Sequence, residues 1–120
     1  MGLTHTLVKL RNLSSANGTY EADFLVHTGA TDSLVPGSEL RRIGVQPVGR
    51  SAYELANGEN VEYEFGLVEI GFMGEVTAGR VIFGPDDASP ILGVTALESA
   101  GMTIDPASRT LRKLPAIPLK

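Results

Sequence analysis

The stretch Phe24-Leu25-Val26-His27-Thr28-Gly29-Ala30-Thr31-Asp32-Ser33-Leu34-Val35 settles what kind of chain this is. It continues an alternation that begins at Tyr20: Tyr20, Ala22, Phe24 and Val26 fall on one side, and Glu21, Asp23, Leu25 and His27 on the other. Successive side chains of a strand point to opposite faces, so this is the pattern of a half-buried strand, with His27 at its end on the more polar side. Upstream, residues 5–12 also alternate, Thr6, Val8 and Leu10 against Leu7, Lys9 and Arg11. The turn-rich segment from Ser14 to Gly18 separates the two runs, which reads as a pair of neighbouring strands.

Working outward, 120 residues with 42% hydrophobic and 20% charged content are the mix of one domain, residues 1–120, rather than two or a disordered tail. Fourteen acidic against ten basic residues leave a net charge of -4, which argues against nucleic acid as a partner. There is no cysteine, so disulfides, thiolate metal sites and cysteine nucleophiles are excluded. No apolar run approaches the roughly 18 residues a membrane span needs, and the N-terminus lacks the basic and apolar regions of a signal peptide. The expectation is a soluble protein away from membranes, in the cytoplasm rather than secreted.

Pro36 followed by Gly37 to Ile43 and then Gly44 reads as a short helix, and Val94 to Ala100 before Gly101 as a second, opened by Thr95 or by the loop ahead of it. Asn57-Gly58 predicts a two-residue type I′ hairpin. With Ala56 opposite Glu59, the pairs run Leu55 with Asn60, Glu54 with Val61, Tyr53 with Glu62 and Ala52 with Tyr63, so both faces mix apolar and acidic residues and neither suits a core. Such a hairpin projects over solvent or a ligand. Phe65 to Ile70 and Val76 to Phe83 are two further strands joined through Gly71 and Gly74; turns follow at Gly84-Pro85-Asp86-Asp87 and Asp105-Pro106-Ala107-Ser108. Seven or eight short strands and two short helices make a mostly antiparallel, barrel-like β domain.

The run Phe24-Leu25-Val26-His27-Thr28-Gly29-Ala30 resembles the active-site segment of retropepsin-like aspartic proteases, in which an apolar strand enters Asp-Thr-Gly-Ala. Ile91-Leu92-Gly93 and the helix to Ala100 resemble the family's second signature, Asn57-Gly58 falls where its flap lies, and Phe83-Gly84-Pro85 resembles the strand end before that signature. The likeness covers about residues 5–114. It implies an all-β fold of mostly antiparallel closed sheet, with a flap hairpin and one or two short helices. It also implies an endopeptidase in which two carboxylates share a proton and a water, one activating the water and the other protonating the carbonyl oxygen of a peptide, with no cofactor. One chain carries one motif, so the resemblance implies a homodimer whose cleft straddles a two-fold axis.

His27 stands where the family has its catalytic Asp. A symmetric pair of imidazoles offers no proton-sharing carboxylate dyad, and two protonated rings would repel across the axis. The chain is therefore expected to be inactive, or nearly so, as an aspartic protease. His27 reads as an inactivating substitution in a working protease, as the mark of a natural pseudoprotease that binds peptides or merely dimerises, as half of a paired-imidazole metal site, or as a space-filling residue at a strand end.

By resemblance, Thr28 would hydrogen-bond across the dimer, Gly29 would admit substrate backbone, Ala30 would line the pocket, and Asp32 would contact substrate. The flap would run from Tyr53 to Tyr63 with Ala56, Asn57, Gly58 and Glu59 at its tip. Ile91, with Leu34, Val35 and Leu92, would line apolar subsites, although core packing accounts for the same residues. The viral members' paired Asp and Arg are replaced by Thr31 and Val94, which points to a cellular or prokaryotic branch. In the tail from Leu114 to Lys120, Pro115 and Pro118 cannot donate to a ladder, so it either lies along a partner or begins a linker.

Overall fold

A computed structural model of the protein describes residues 4–14 and 18–119. The turn expected from Ser14 to Gly18 therefore falls partly outside the described residues. Nine strands and two helices are found among them: β1 (His5–Asn12), β2 (Thr19–Val26), β3 (Ser33–Pro36), α1 (Gly37–Arg42), β4 (Gly49–Glu54), β5 (Asn60–Phe72), β6 (Glu75–Gly84), β7 (Ile91–Leu92), α2 (Val94–Ser99), β8 (Met102–Asp105) and β9 (Thr110–Lys113).

Seven strands form one sheet in the order β1-β2-β7-β3-β6-β5-β4, and β1 also pairs with β5. That extra pairing, from Val8 opposite Phe72 to Asn12 opposite Val68, closes six strands into a ring and leaves β4 hanging from β5. Closure removes the exposed edges that an open sheet would carry. All pairings are antiparallel except β2 with β7 and β3 with β6. The alternation read from β1 and β2 is the burial pattern: Val8, Leu10 and Phe24 are wholly buried and Val26 nearly so, while Leu7 is 58% exposed. They meet Val35, Leu40, Ile43, Val68, Ile70, Val81 and Leu92 in a single core.

Both helices begin without a side-chain cap and end on a left-handed glycine. For α1, the Gly44 N–H donates to the Arg41 carbonyl and the Val45 N–H to that of Leu40, with Gly44 at φ 81°, which is the Schellman arrangement. Asp86 Oδ1 accepts the Ser38 N–H from across the fold, so a loop 48 residues away covers a donor the helix leaves open. Gly93, not Thr95, is the residue before α2, and Thr95 spends its hydroxyl elsewhere.

Nine strands stand among the described residues where seven or eight were expected, and several local details differ as well. Phe65–Ile70 is not a separate strand but the middle of β5, which runs 13 residues from the hairpin to Phe72. The turn after it is Met73-Gly74, at φ 53° and 76°, with Phe72 opposite Glu75; this is the two-residue loop with left-handed backbone at both positions, and Gly71 lies inside the strand. At Asn57-Gly58 only the glycine is left-handed, at φ 87°. There the Gly58 N–H donates to the Leu55 carbonyl and the Leu55 N–H to that of Glu59, giving a three-residue loop with a glycine bulge in place of a type I′ turn. Asn57 uses its side chain, accepting the Glu59 N–H and donating to the Glu59 carboxylate, and so keeps an ordinary backbone.

That added loop residue shifts the hairpin register by one. Glu54 pairs with Asn60, Tyr53 with Val61, Ala52 with Glu62, Ser51 with Tyr63 and Gly49 with Phe65. A slip of one residue exchanges faces. The hairpin is thus amphipathic after all: Ser51, Tyr53, Val61 and Tyr63 are half-buried on the inner side, while Arg50, Ala52, Glu54 and Glu62 are exposed on the outer side. The turn expected at Gly84 likewise begins one residue on, where the Pro85 carbonyl accepts the Ala88 N–H.

The candidate active-site loop and the hairpin above it

β7 is only two residues long, yet it lies between β2 and β3, with Leu25 opposite Ile91, Val26 opposite Leu92, and Leu34 opposite Ile91. The chain from 27 to 32 must therefore loop around the end of β7, and the start of α2 braces it from behind. The His27 N–H donates to the Leu92 carbonyl at 3.0 Å, and the Ala30 N–H turns back to the His27 carbonyl at 3.1 Å. The Val94 N–H reaches the Ala30 carbonyl at 2.8 Å, and the Thr31 carbonyl accepts both the Thr95 N–H at 3.2 Å and the Thr95 hydroxyl at 2.7 Å. Inside, the buried Ser33 hydroxyl accepts the Gly93 N–H at 3.0 Å. The Thr31 carbonyl and the Val94 N–H thus hold the loop to the start of α2 by main-chain bonds, with the Thr95 hydroxyl adding one more.

Gly93 is the keystone of this packing. A Cβ there would stand 2.6 Å from the Asp32 carbonyl carbon and 2.8 Å from the Thr31 oxygen, both backbone atoms that cannot swing aside.

The loop presents His27, Thr28 and Gly29 to solvent and leaves Ala30 and Asp32 half-buried. The His27 imidazole makes no hydrogen bond to another side chain among the described residues and lies folded against Gly29, whose missing Cβ would sit 3.0 Å from the ring Cε1. Of the four apolar residues expected to line subsites, Val35 and Leu92 are fully buried in the core and cannot do so; Ile91 and Leu34 are half-buried and remain available.

Ala56, Asn57, Gly58 and Glu59 form the exposed tip of the hairpin. The hairpin meets the loop lower down, where Tyr53 donates its hydroxyl to Asp32 Oδ2 at 2.8 Å. Burial, then the hydrogen bond and charge of Asp32, push the Tyr53 phenol above its ordinary pKa, with Arg80 opposing them. Arg80 donates to the Ser51 hydroxyl at 3.3 Å and lies over the Phe65 ring, 3.9 Å from its centroid. Asp32, Arg80, Thr95 and Ser99 border a recess of about 250 Å³ between the loop, β6 and α2. Arg80 was not among the residues that sequence singled out for the site, and Tyr53 entered only as the start of the flap, with no contact to Asp32 expected. Tyr53 joins Val61 and Tyr63 on the inner side only in the observed register, so its face could not be read before the loop length was known, and exposed Arg80 reaches Ser51 from β6 through a long-range contact that carries no local signal.

No family model matches the chain, and no curated protein matches it. Among solved structures, a retroviral (EIAV) protease complexed with the inhibitor HBY-793 is similar, with a TM-score of 0.61 and 21% sequence identity over 87% of this chain and 93% of that one. At that identity the likeness speaks to architecture: the closed, mostly antiparallel sheet with two short helices is the retropepsin-like fold.

Proposed function

We propose that the chain is one half of a homodimeric, retropepsin-like aspartic endopeptidase whose hydrolytic chemistry is disabled by His27, leaving a groove that takes an extended peptide. One observation carries the reading: the loop His27-Thr28-Gly29-Ala30, its first three residues facing solvent, is clamped between β7 and α2 at the end of the half-buried strand β2 and met by an amphipathic hairpin through Tyr53 and Asp32. The likeness to an inhibitor-bound protease of this fold supports it. In the working chemistry, each subunit brings one carboxylate to the two-fold axis. One removes a proton from water as the oxygen attacks the peptide carbonyl, and the other donates a proton to the carbonyl oxygen. An imidazole at position 27 removes both carboxylates at once, because symmetry repeats the substitution.

Sedimentation will find a dimer, and His27→Asp will cleave a mixed peptide library between pH 3 and 8 at least about a hundredfold faster than the unaltered chain, the order of effect that positioned acid–base groups supply. Turnover by the unaltered chain near that of the Asp variant overturns the inactivity, and a monomer at high concentration overturns the assembly. If His27→Asp folds and dimerises yet cleaves nothing, the chain is a peptide-binding or dimerisation module.

A further inference from the structure

The hairpin is fastened to the loop of its own subunit by a single side-chain bond among the described residues, from Tyr53 to Asp32. The fastening residue is itself set in place. Tyr63 packs across the hairpin against it, ring centroids 6.2 Å apart at 50°, and Ser51, two residues upstream on the same face, is held by Arg80. Beyond this point the hairpin has no inner support until Val61: residues 54–60 are all exposed, and their bonds are to one another. Asp32 in turn is rigidly presented, because its neighbours Thr31 and Ser33 are both bonded to the start of α2.

We propose that the Tyr53–Asp32 bond is an intrasubunit latch, with Tyr53 as the positioning residue that holds the flap down over the loop. Broken, it frees the hairpin beyond residue 53 to lift. An ionised carboxylate only accepts hydrogen bonds, so a chain that enters must give Asp32 a donor of its own, a backbone or amide N–H or a cationic side chain, in place of the tyrosine hydroxyl. The latch rests on the peptide-binding reading only in naming what enters; its making and breaking belong to one subunit.

Hydrogen exchange at pH 7 on the unaltered full chain, read at the hairpin amides of Leu55 and Gly58, tests it. Tyr53→Phe removes the donor and little else, and Asp32→Ala removes the acceptor. Each should speed exchange at these amides by about 5- to 10-fold, the scale of losing one hydrogen bond that solvent partly replaces. The double variant should do no more than either alone, because both delete the same bond. Tyr63→Phe, which removes a neighbouring hydroxyl without a partner among the described residues, should change exchange less than twofold. Leu10 and Ile70 amides report whether the barrel stays folded. Hairpin exchange in Tyr53→Phe within twofold of the unaltered chain, additive effects, or an equal effect from Tyr63→Phe each overturns the latch, and the first and third stand even if Asp32→Ala does not fold. Absence of dimers or of cleavage by His27→Asp would sink the functional reading while leaving this result in place.

Discussion

Position 93 has room for a hydrogen and nothing larger. Because the atoms nearest a new Cβ belong to the backbone of Thr31 and Asp32, Gly93→Ala must push the loop off α2, and it should cost about 2 to 3 kcal/mol in urea denaturation, the upper range for overpacking. A loss under about 0.5 kcal/mol would mean that the loop yields freely. Tyr53 supplies a pH-dependent prediction. Its phenol is held above the ordinary value by burial and by Asp32, so folding favours the protonated form. That contribution is complete below about pH 10, the unfolded value, and is lost as pH rises through the folded value. Tyr20 shifts in the same direction, through burial and Glu39, so the useful quantity is the difference between the unaltered chain and Tyr53→Phe. This difference should be constant from pH 7 to about 9.5 and shrink above about pH 10; a difference that stays flat to about pH 11 contradicts the coupling. His27 could be placed at its strand end from alternation alone. The Tyr53–Asp32 bond could not, since it joins residues 21 apart that meet only when the hairpin folds over the loop.

Among the elements, two hairpins show how loop chemistry sets register. Asn57-Gly58 carries the residues preferred for two left-handed positions but uses one, because the Asn57 side chain satisfies the loop in another way. Met73-Gly74 carries a poor residue for the first such position and adopts it anyway, because Phe72 and Glu75 are already held opposite one another by the β5–β6 ladder and Phe72 also pairs with β1. Ladder pairing thus overrides a turn preference worth about 1 kcal/mol. Met73 is 54% exposed and contributes little packing. Met73→Asn should therefore raise stability by about 0.5 to 1 kcal/mol in urea. An unchanged or lower midpoint would show that the Met73 side chain is supporting the fold. The helix ends were legible because Gly44 and Gly101 are needed for left-handed backbone whatever surrounds them. The hairpin register was not, because one loop residue more or less reverses every face.

For the molecule as a whole, the β1–β5 pairing is what turns a sheet into a closed barrel. Leu10 sits on that seam, opposite both Tyr20 and Ile70 and fully buried. Leu10→Ala should cost about 3 to 4 kcal/mol, transfer and cavity terms together, in a single cooperative transition seen alike by circular dichroism and tyrosine fluorescence. Non-coincident curves would show that the seam opens before the rest. The outer face of the hairpin should matter far less: the Arg50–Glu62 pair, 3.4 Å apart with both side chains mostly in solvent, is of the exposed kind that contributes little.

Strand alternation and glycine stops already determined a mostly β chain, the core residues of β1 and β2, both helices, and the place of His27 at the end of β2, because each depends on local backbone geometry and on which side of a strand must avoid water. The insertion of two-residue β7 between β2 and β3, the unbroken run of β5, the hairpin's amphipathic register and the approach of Tyr53 to Asp32 arose from long-range pairing. There the partner strand, not the residue's own neighbours, chooses among conformations that differ locally by about 1 kcal/mol.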